Sequence, residues 1–237
     1  MKQVADIVLL KNKFSLLPQI FDEGNKIVNT VNSIGKLFVT KNFFIIFITL
    51  MSLFFLLDFP LTPRRVSLIN IFGIGLPAFI ISLKNMNTDK TKNFMKDLIS
   101  FVILSALIIV ASGYTGIYIV QKYHEVSEKD IQMVMLTIMV ITNIANYFSI
   151  VLTKKETQEN RLIYILYGFI IMLIYIFLSA TSFNPWILNI IKKFYELDYV
   201  RPDLWPVIMA VSLAGSLVLF AAQKLRGKYI SGTDNGL

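Results

Sequence analysis

Apolar and polar positions fall into long alternating blocks along this chain. Apolar runs near Leu37–Leu57, Val66–Leu83, Leu98–Val120, Ile131–Leu152, Leu162–Ser182 and Leu204–Gln223 stand between charged connections. Each run has about 18 residues or more, enough for a helix to cross a bilayer. Ahead of the first run, Ile20, Ile27, Val28, Val31, Ile34 and Leu37–Phe38 recur at helical spacing. Ser15 is placed to cap that helix, with Pro18 in its first turn. Gly24 and Gly35 weaken the helix without ending it. The pattern therefore predicts one long helix whose lower half is a stalk and whose upper half is the first span. Val4–Leu10 is a short β-branched run that reads as a strand. A lone strand needs sheet partners, and this chain supplies none.

The second run is the unusual one. A short hairpin, Asp58-Phe-Pro-Leu-Thr-Pro63, leads into a helix carrying Asn70, then Gly73, Gly75 and Pro77 at two-residue spacing. Glycine weakens a helix by about 1 kcal/mol relative to alanine, and proline removes a backbone donor. Three such residues predict a local break. In lipid a break survives where protein or water satisfies the freed carbonyls, and membrane transporters place ion sites there. A kinked packing helix is the plainer reading.

Composition agrees with the pattern. Of 237 residues, 55% are hydrophobic and 16% charged, and the mean hydropathy is +0.65. A polytopic all-α membrane protein follows, with a six-helix transmembrane bundle, a short N-terminal strand and a stalk helix. The expected divisions are 1–14 for a cytoplasmic remnant, 15–36 for the stalk, 37–223 for the bundle and 224–237 for a cytoplasmic tail. The net charge of +8 then reports orientation rather than a nucleic-acid partner. Residues 1–33, the 84–97 and 153–161 loops and the tail hold four, four, three and three basic residues, against seven on the opposite connections. The positive-inside rule places both termini in the cytoplasm. With no cysteine, disulfides and thiolate chemistry are excluded.

No Asp or Glu lies inside a span; Asp97 and Asp203 stand at edges. A self-contained ion-coupled transporter usually keeps such a charge, because it costs about 2.5–3.5 kcal/mol at mid-membrane and is retained for use. Neutral polar residues within the spans include Asn42, Thr49, Asn70, Ser105, Thr142, Asn143, Asn146 and Ser149. Asn143 and Asn146 share a helix face. Such asparagines either bond across helices or bind a ligand. Gly113 and Gly116, and separately Ala210, Ala214 and Ala221, suggest close helix packing. His124, the only histidine, sits in a loop and reads as solvated.

ADIVLL, the stalk, a long apolar helix and FPLTPRRVSLINIFGIGLPA closely resemble the C-terminal part of a P-type cation-transporting ATPase of the calcium-pump-like branch. The resemblance implies the end of a phosphorylation domain followed by transmembrane helices five to ten. It implies a transported cation, calcium first, and an ion pathway through Asn42, Asn70, Gly73, Gly75, Pro77, Asn143 and Asn146. It also implies a cell-membrane location, and Mg²⁺ and ATP for the complete pump, bound outside this chain. Departures are specific. Ile45, Gly73, Ile74 and Val140 stand where calcium pumps carry Glu, Thr, Asp and Glu. The aspartyl-phosphate and dephosphorylation motifs are absent from the sequence, so no catalytic residue is expected and the rest of the pump becomes a partner. An accessory or scaffold subunit of six helices is the competing reading.

Overall fold

The computed structural model describes residues 14–55, 59–83, 94–153, 158–181 and 186–233. The expected strand at Val4–Leu10 lies outside them. The described chain is helical: α1 (Leu17–Phe55), α2 (Pro63–Leu83), α3 (Phe94–Tyr123), α4 (Glu128–Thr153), α5 (Gln158–Ala180), α6 (Trp186–Tyr195) and α7 (Trp205–Thr233). Six of them, all but α6, are long and apolar enough to cross a membrane. The chain is a multi-pass membrane protein.

Stalk and first span form one uninterrupted helix of 39 residues, as the spacing predicts. Helix α4 is the axis of the bundle. Within its apolar stretch 94% is buried, against 22 to 44% in the other five spans. Its sequence, MVMLTIMVITNIANYFSIV, spreads Thr137, Thr142, Asn143, Asn146 and Ser149 among apolar residues, and of these Thr137 and Asn146 find partners on neighbouring helices that lipid does not offer. Helix α3 comes close to α4 because Gly116 has no side chain; a Cβ there would run into Ile138. On α7 the small residue at the contact is Gly215, which abuts Ser112. Ala210, Ala214 and Ala221 are exposed, so the alanine stripe is not the packing face. Most span hydroxyls settle on their own helix. Thr40 bonds the Lys36 carbonyl at 2.6 Å, Thr49 that of Ile45 at 2.9 Å, and Thr142 that of Ile138 at 2.8 Å.

Two features differ from the sequence pattern. The stalk buries its polar face: Asn29, Asn32, Ser33 and Lys36 are covered, whereas Ile20, Ile27, Val28 and Val31 are exposed. On the polar face Lys36 pairs with Asp97 across the bundle at 2.7 Å. The connection after α5 contains a helix, α6, with apolar Trp186, Ile190 and Phe194 on one side and Asn189, Lys192 and Lys193 on the other. It ends at Glu196, whose φ of 54° is left-handed, and the Leu197 N–H returns to the Lys192 carbonyl at 2.9 Å. Helix α7 runs on to Thr233, well past the apolar run that ends at Gln223.

Candidate functional site

Thr62 opens α2 as its N-cap, accepting the Arg65 N–H, and Pro63 takes the first turn, where its missing N–H costs nothing. Further along, the predicted break does not occur. Residues Ile69–Gly75 instead widen into a π-helical turn, and the Leu76 N–H bonds the Ile71 carbonyl five residues back. A wider turn keeps most backbone groups paired where Pro77 lacks a donor, which a clean break in lipid would not. Gly75 lies inside this turn; a Cβ there would stand 3.0 Å from the Asn70 carbonyl oxygen. Pro77 is buried just beyond.

Gly73 is the point of contact with the axial helix. A Cβ on Gly73 would lie 2.8 Å from the Asn143 Cβ. That contact brings together two candidates that lie far apart in the sequence. Asn143 donates Nδ2–H to the Met139 carbonyl at 2.8 Å on its own helix. Its Oδ1 is buried, and no donor among the described residues reaches it; the same holds for Asn70 Oδ1. A buried amide oxygen left unpaired costs about 1–3 kcal/mol, so two of them on adjoining elements call for an explanation. The π turn is also braced from α5, where Phe72 packs edge-on to Tyr175 with ring centroids 5.4 Å apart. The Tyr175 hydroxyl lies 3.2 Å from Thr137 Oγ1 on α4.

The remaining candidates go elsewhere. Asn42 is exposed on the outer face of α1, as is Thr49. Asn146 is buried but turned towards α3 and α7, where its Oδ1 accepts from Ser105 Oγ at 2.8 Å. Residues three apart on a helix lie about 60° apart around its axis. On a helix surrounded by neighbours, that angle sends Asn143 and Asn146 to different partners.

Asn146 belongs to a polar chain not visible in the sequence. Ser105 Oγ accepts from Gln223 Nε2 at 2.7 Å, and Gln223 Oε1 accepts from Arg226 Nε at 2.7 Å. Arg226 Nη1 meets Asp97 Oδ1 at 2.7 Å, and Lys36 Nζ meets Asp97 Oδ2 at 2.7 Å. Both cations also lie over the Phe101 ring, at 4.9 Å for Lys36 and 5.2 Å for Arg226. The stalk is thus tied through Asp97 to α3, α7 and the bundle axis. A carboxylate at a span edge and a lysine at the stalk boundary were the available signals, but their pairing between distant parts of the chain is a tertiary fact. His124 is also not simply solvated: its Nδ1 lies 3.4 Å from an Asp203 carboxylate oxygen.

Six apolar helices about a buried axis, with a π turn and unpaired amide oxygens inside, fit the C-terminal transmembrane portion of a P-type cation pump. Relatives agree. The calcium-transporting ATPase CtpE of Mycolicibacterium smegmatis is 20% identical over 239 residues, covering 97% of this chain and 29% of that protein. CtpE of Mycobacterium tuberculosis is 30% identical over 118 residues, 46% of this chain and 15% of that protein. The probable cation-transporting ATPase exp7 of Streptococcus pneumoniae is 26% identical over 119 residues, 47% of this chain and 15% of that protein. The chain spans less than a third of the length of these relatives. No family model matches it.

Proposed function

We propose that this chain is the ion-pathway and stalk portion of an ATP-driven cation pump, working with nucleotide-hydrolysing domains that it does not itself contain. The observation that carries the reading is that two amide oxygens, Asn70 Oδ1 on the π turn and Asn143 Oδ1 on the helix that Gly73 abuts, are buried with no hydrogen-bond partner among the described residues. Neutral oxygens can replace a cation's hydration shell without a fixed charge. Calcium takes six to eight oxygen ligands. Asn70 and Asn143 would supply two of them, and carboxylates would have to come from helices of the rest of the pump. Asn42 on the outer face of α1 is available to such helices, and Asn146 supports the axis rather than the ion. Gly75 and Pro77 shape the π turn rather than ligate. Mg²⁺ and ATP would be held by the rest of the complete pump, where the phosphorylation motifs missing from this sequence would lie.

The exposed aliphatic stripe of the stalk, Ile20, Ile27, Val28 and Val31, supports docking of a cytoplasmic domain along it. That domain would move the stalk, and the Lys36–Asp97–Arg226 cluster would pass the motion to the bundle. In the complete pump, Asn70→Ala should raise the cation concentration needed for half-maximal ATPase activity by about tenfold, the size expected for losing one ligand and exposing its partners. An unchanged cation dependence removes Asn70 from the pathway.

The proposal extends to a cell-membrane location with both termini cytoplasmic, supported by the excess of basic residues on the stalk side of the connections. The cysteine-free sequence makes the test direct, with Glu125→Cys and Lys224→Cys as single reporters at exposed positions on opposite ends of the bundle. An impermeant thiol reagent added outside intact cells should label position 125 and spare 224. The reverse pattern inverts the orientation.

A further inference from the structure

A cavity of about 570 Å³ opens at the end of the bundle opposite the stalk, between the start of α2, the start of α4 and helix α6. Four cations line it, Arg65, Lys129, Lys192 and Lys193, against two carboxylates, Glu196 and Asp198. Both carboxylates are already engaged. Asp198 Oδ2 meets Arg65 Nη2 at 2.8 Å, and Glu196 meets Arg64 at 3.3 Å and the Thr62 hydroxyl at 2.8 Å. Arg65 and Lys192 are almost wholly buried, at 3% and 7% exposure. The Lys192 ammonium donates to the Thr181 carbonyl at 2.7 Å, with no carboxylate at salt-bridge distance among the described residues. Lys129 and Lys193 are exposed at the rim. The cavity therefore has cationic groups in excess of its anions, at a membrane-interface level set by the ends of α2, α4 and α5.

Helix α6 gives the second observation. Its polar side, Asn189, Lys192 and Lys193, lines the cavity, while Trp186, Ile190 and Phe194 are exposed on its other side. A short helix with lysines on one face and tryptophan and phenylalanine on the other lies in the headgroup layer, its apolar side against acyl chains. The phosphate of a lipid and its acyl chains are thus offered complementary surfaces within one helix width.

We propose that this cavity binds the phosphate headgroup of an anionic phospholipid whose acyl chains run along the Trp186–Phe194 face of α6. The phosphate takes the place of a counter-ion for Lys192 and Lys193, with Lys129 closing the rim. Burial already pushes the Lys192 ammonium below its ordinary range, and a phosphate beside it would reverse that. Each lysine near a lipid phosphate strengthens attachment by about fivefold, the ratio equivalent to the usual contribution per basic residue. The site does not depend on the pump reading, since it needs only a bilayer.

The test uses the full chain, released from detergent in a native mass spectrometer after equilibration with phosphatidylglycerol and phosphatidylcholine of matched acyl chains. Phosphatidylglycerol should be retained preferentially. Lys129→Gln and Lys193→Gln should each reduce that preference about fivefold, whereas Lys224→Gln, at the opposite end, should leave it unchanged. Equal retention of the two lipids by the unaltered chain overturns the proposal, and so does a preference untouched by both lysine variants. Displacement of phosphatidylglycerol by millimolar inorganic phosphate, with no lipid retained, assigns the cavity to a free anion instead. Should a lysine variant not fold, Trp186→Ala decides: it should weaken retention of phosphatidylglycerol without changing the helical content, and full retention counts against the apolar half of the site.

Discussion

Asp97→Ala should destabilise the bundle by about 3–5 kcal/mol, the cost of leaving buried charges without their partner. Lys36 and Arg226 both pair with this one carboxylate at 2.7 Å, and their side chains are only 7% and 14% exposed. Removal of the carboxylate would strand two cations between α1, α3 and α7, beside the Phe101 ring. Unfolding by SDS titration, followed by circular dichroism, measures the change. Asp97→Asn should fall between wild type and alanine, since it keeps a hydrogen-bond acceptor and loses the charge. Replacing Lys36, Asp97 and Arg226 together by Met, Leu and Met should recover most of the loss, because an apolar trio leaves nothing uncompensated. An Asp97→Ala variant within about 1 kcal/mol of wild type would mean the pair behaves as exposed surface charges do, and the cluster would not be a clamp. In the complete pump the stable triple variant is the informative one. If the clamp transmits stalk motion, ATP hydrolysis and cation transport should uncouple in it even though the helices remain folded.

The second large effect is expected at Gly73. Gly73→Leu inserts a branched side chain where a Cβ alone would come within 2.8 Å of the Asn143 Cβ, an atom fixed to the α4 backbone. Neither partner is the far end of a flexible side chain, so α2 must move off the bundle axis. Overpacking of this kind costs about 1–3 kcal/mol in stability. The larger consequence should be functional: moving the π turn shifts Asn70 relative to the α4 face that carries Asn143, and cation-stimulated ATPase activity of the complete pump should fall by tenfold or more. Gly73→Ala should show the same effect in weaker form. Gly35→Ala is the contrasting case. Its Cβ would meet only the Leu98 Cδ1 at an ordinary 3.7 Å, so the helix should gain up to about 1 kcal/mol from the better helix former. If Gly73→Leu kept full cation-stimulated activity, the close approach at Asn143 would be a packing detail without bearing on the pathway.

Much of the architecture is a local property of the chain and was legible from the residues alone. A run of about 18 apolar residues crosses a bilayer whatever surrounds it, so the six spans follow from composition in sequence order. The unbroken stalk and first span follow because neither Gly24 nor Gly35 removes a backbone donor. The unusual conformation of α2 was also readable from Gly73, Gly75 and Pro77, although its form was not. A break and a π turn have the same residues in common, and only packing against α4 and α5 chose the turn that keeps the backbone paired. Tertiary structure alone decided which face of the stalk is covered: Lys36 meets Asp97 on a distant helix, and the periodicity of Ile27 and Val31 does not see such a partner. It also decided that Asn143 meets the π turn while Asn146 joins Ser105, since on a helix enclosed by neighbours a modest difference in direction selects a different neighbour.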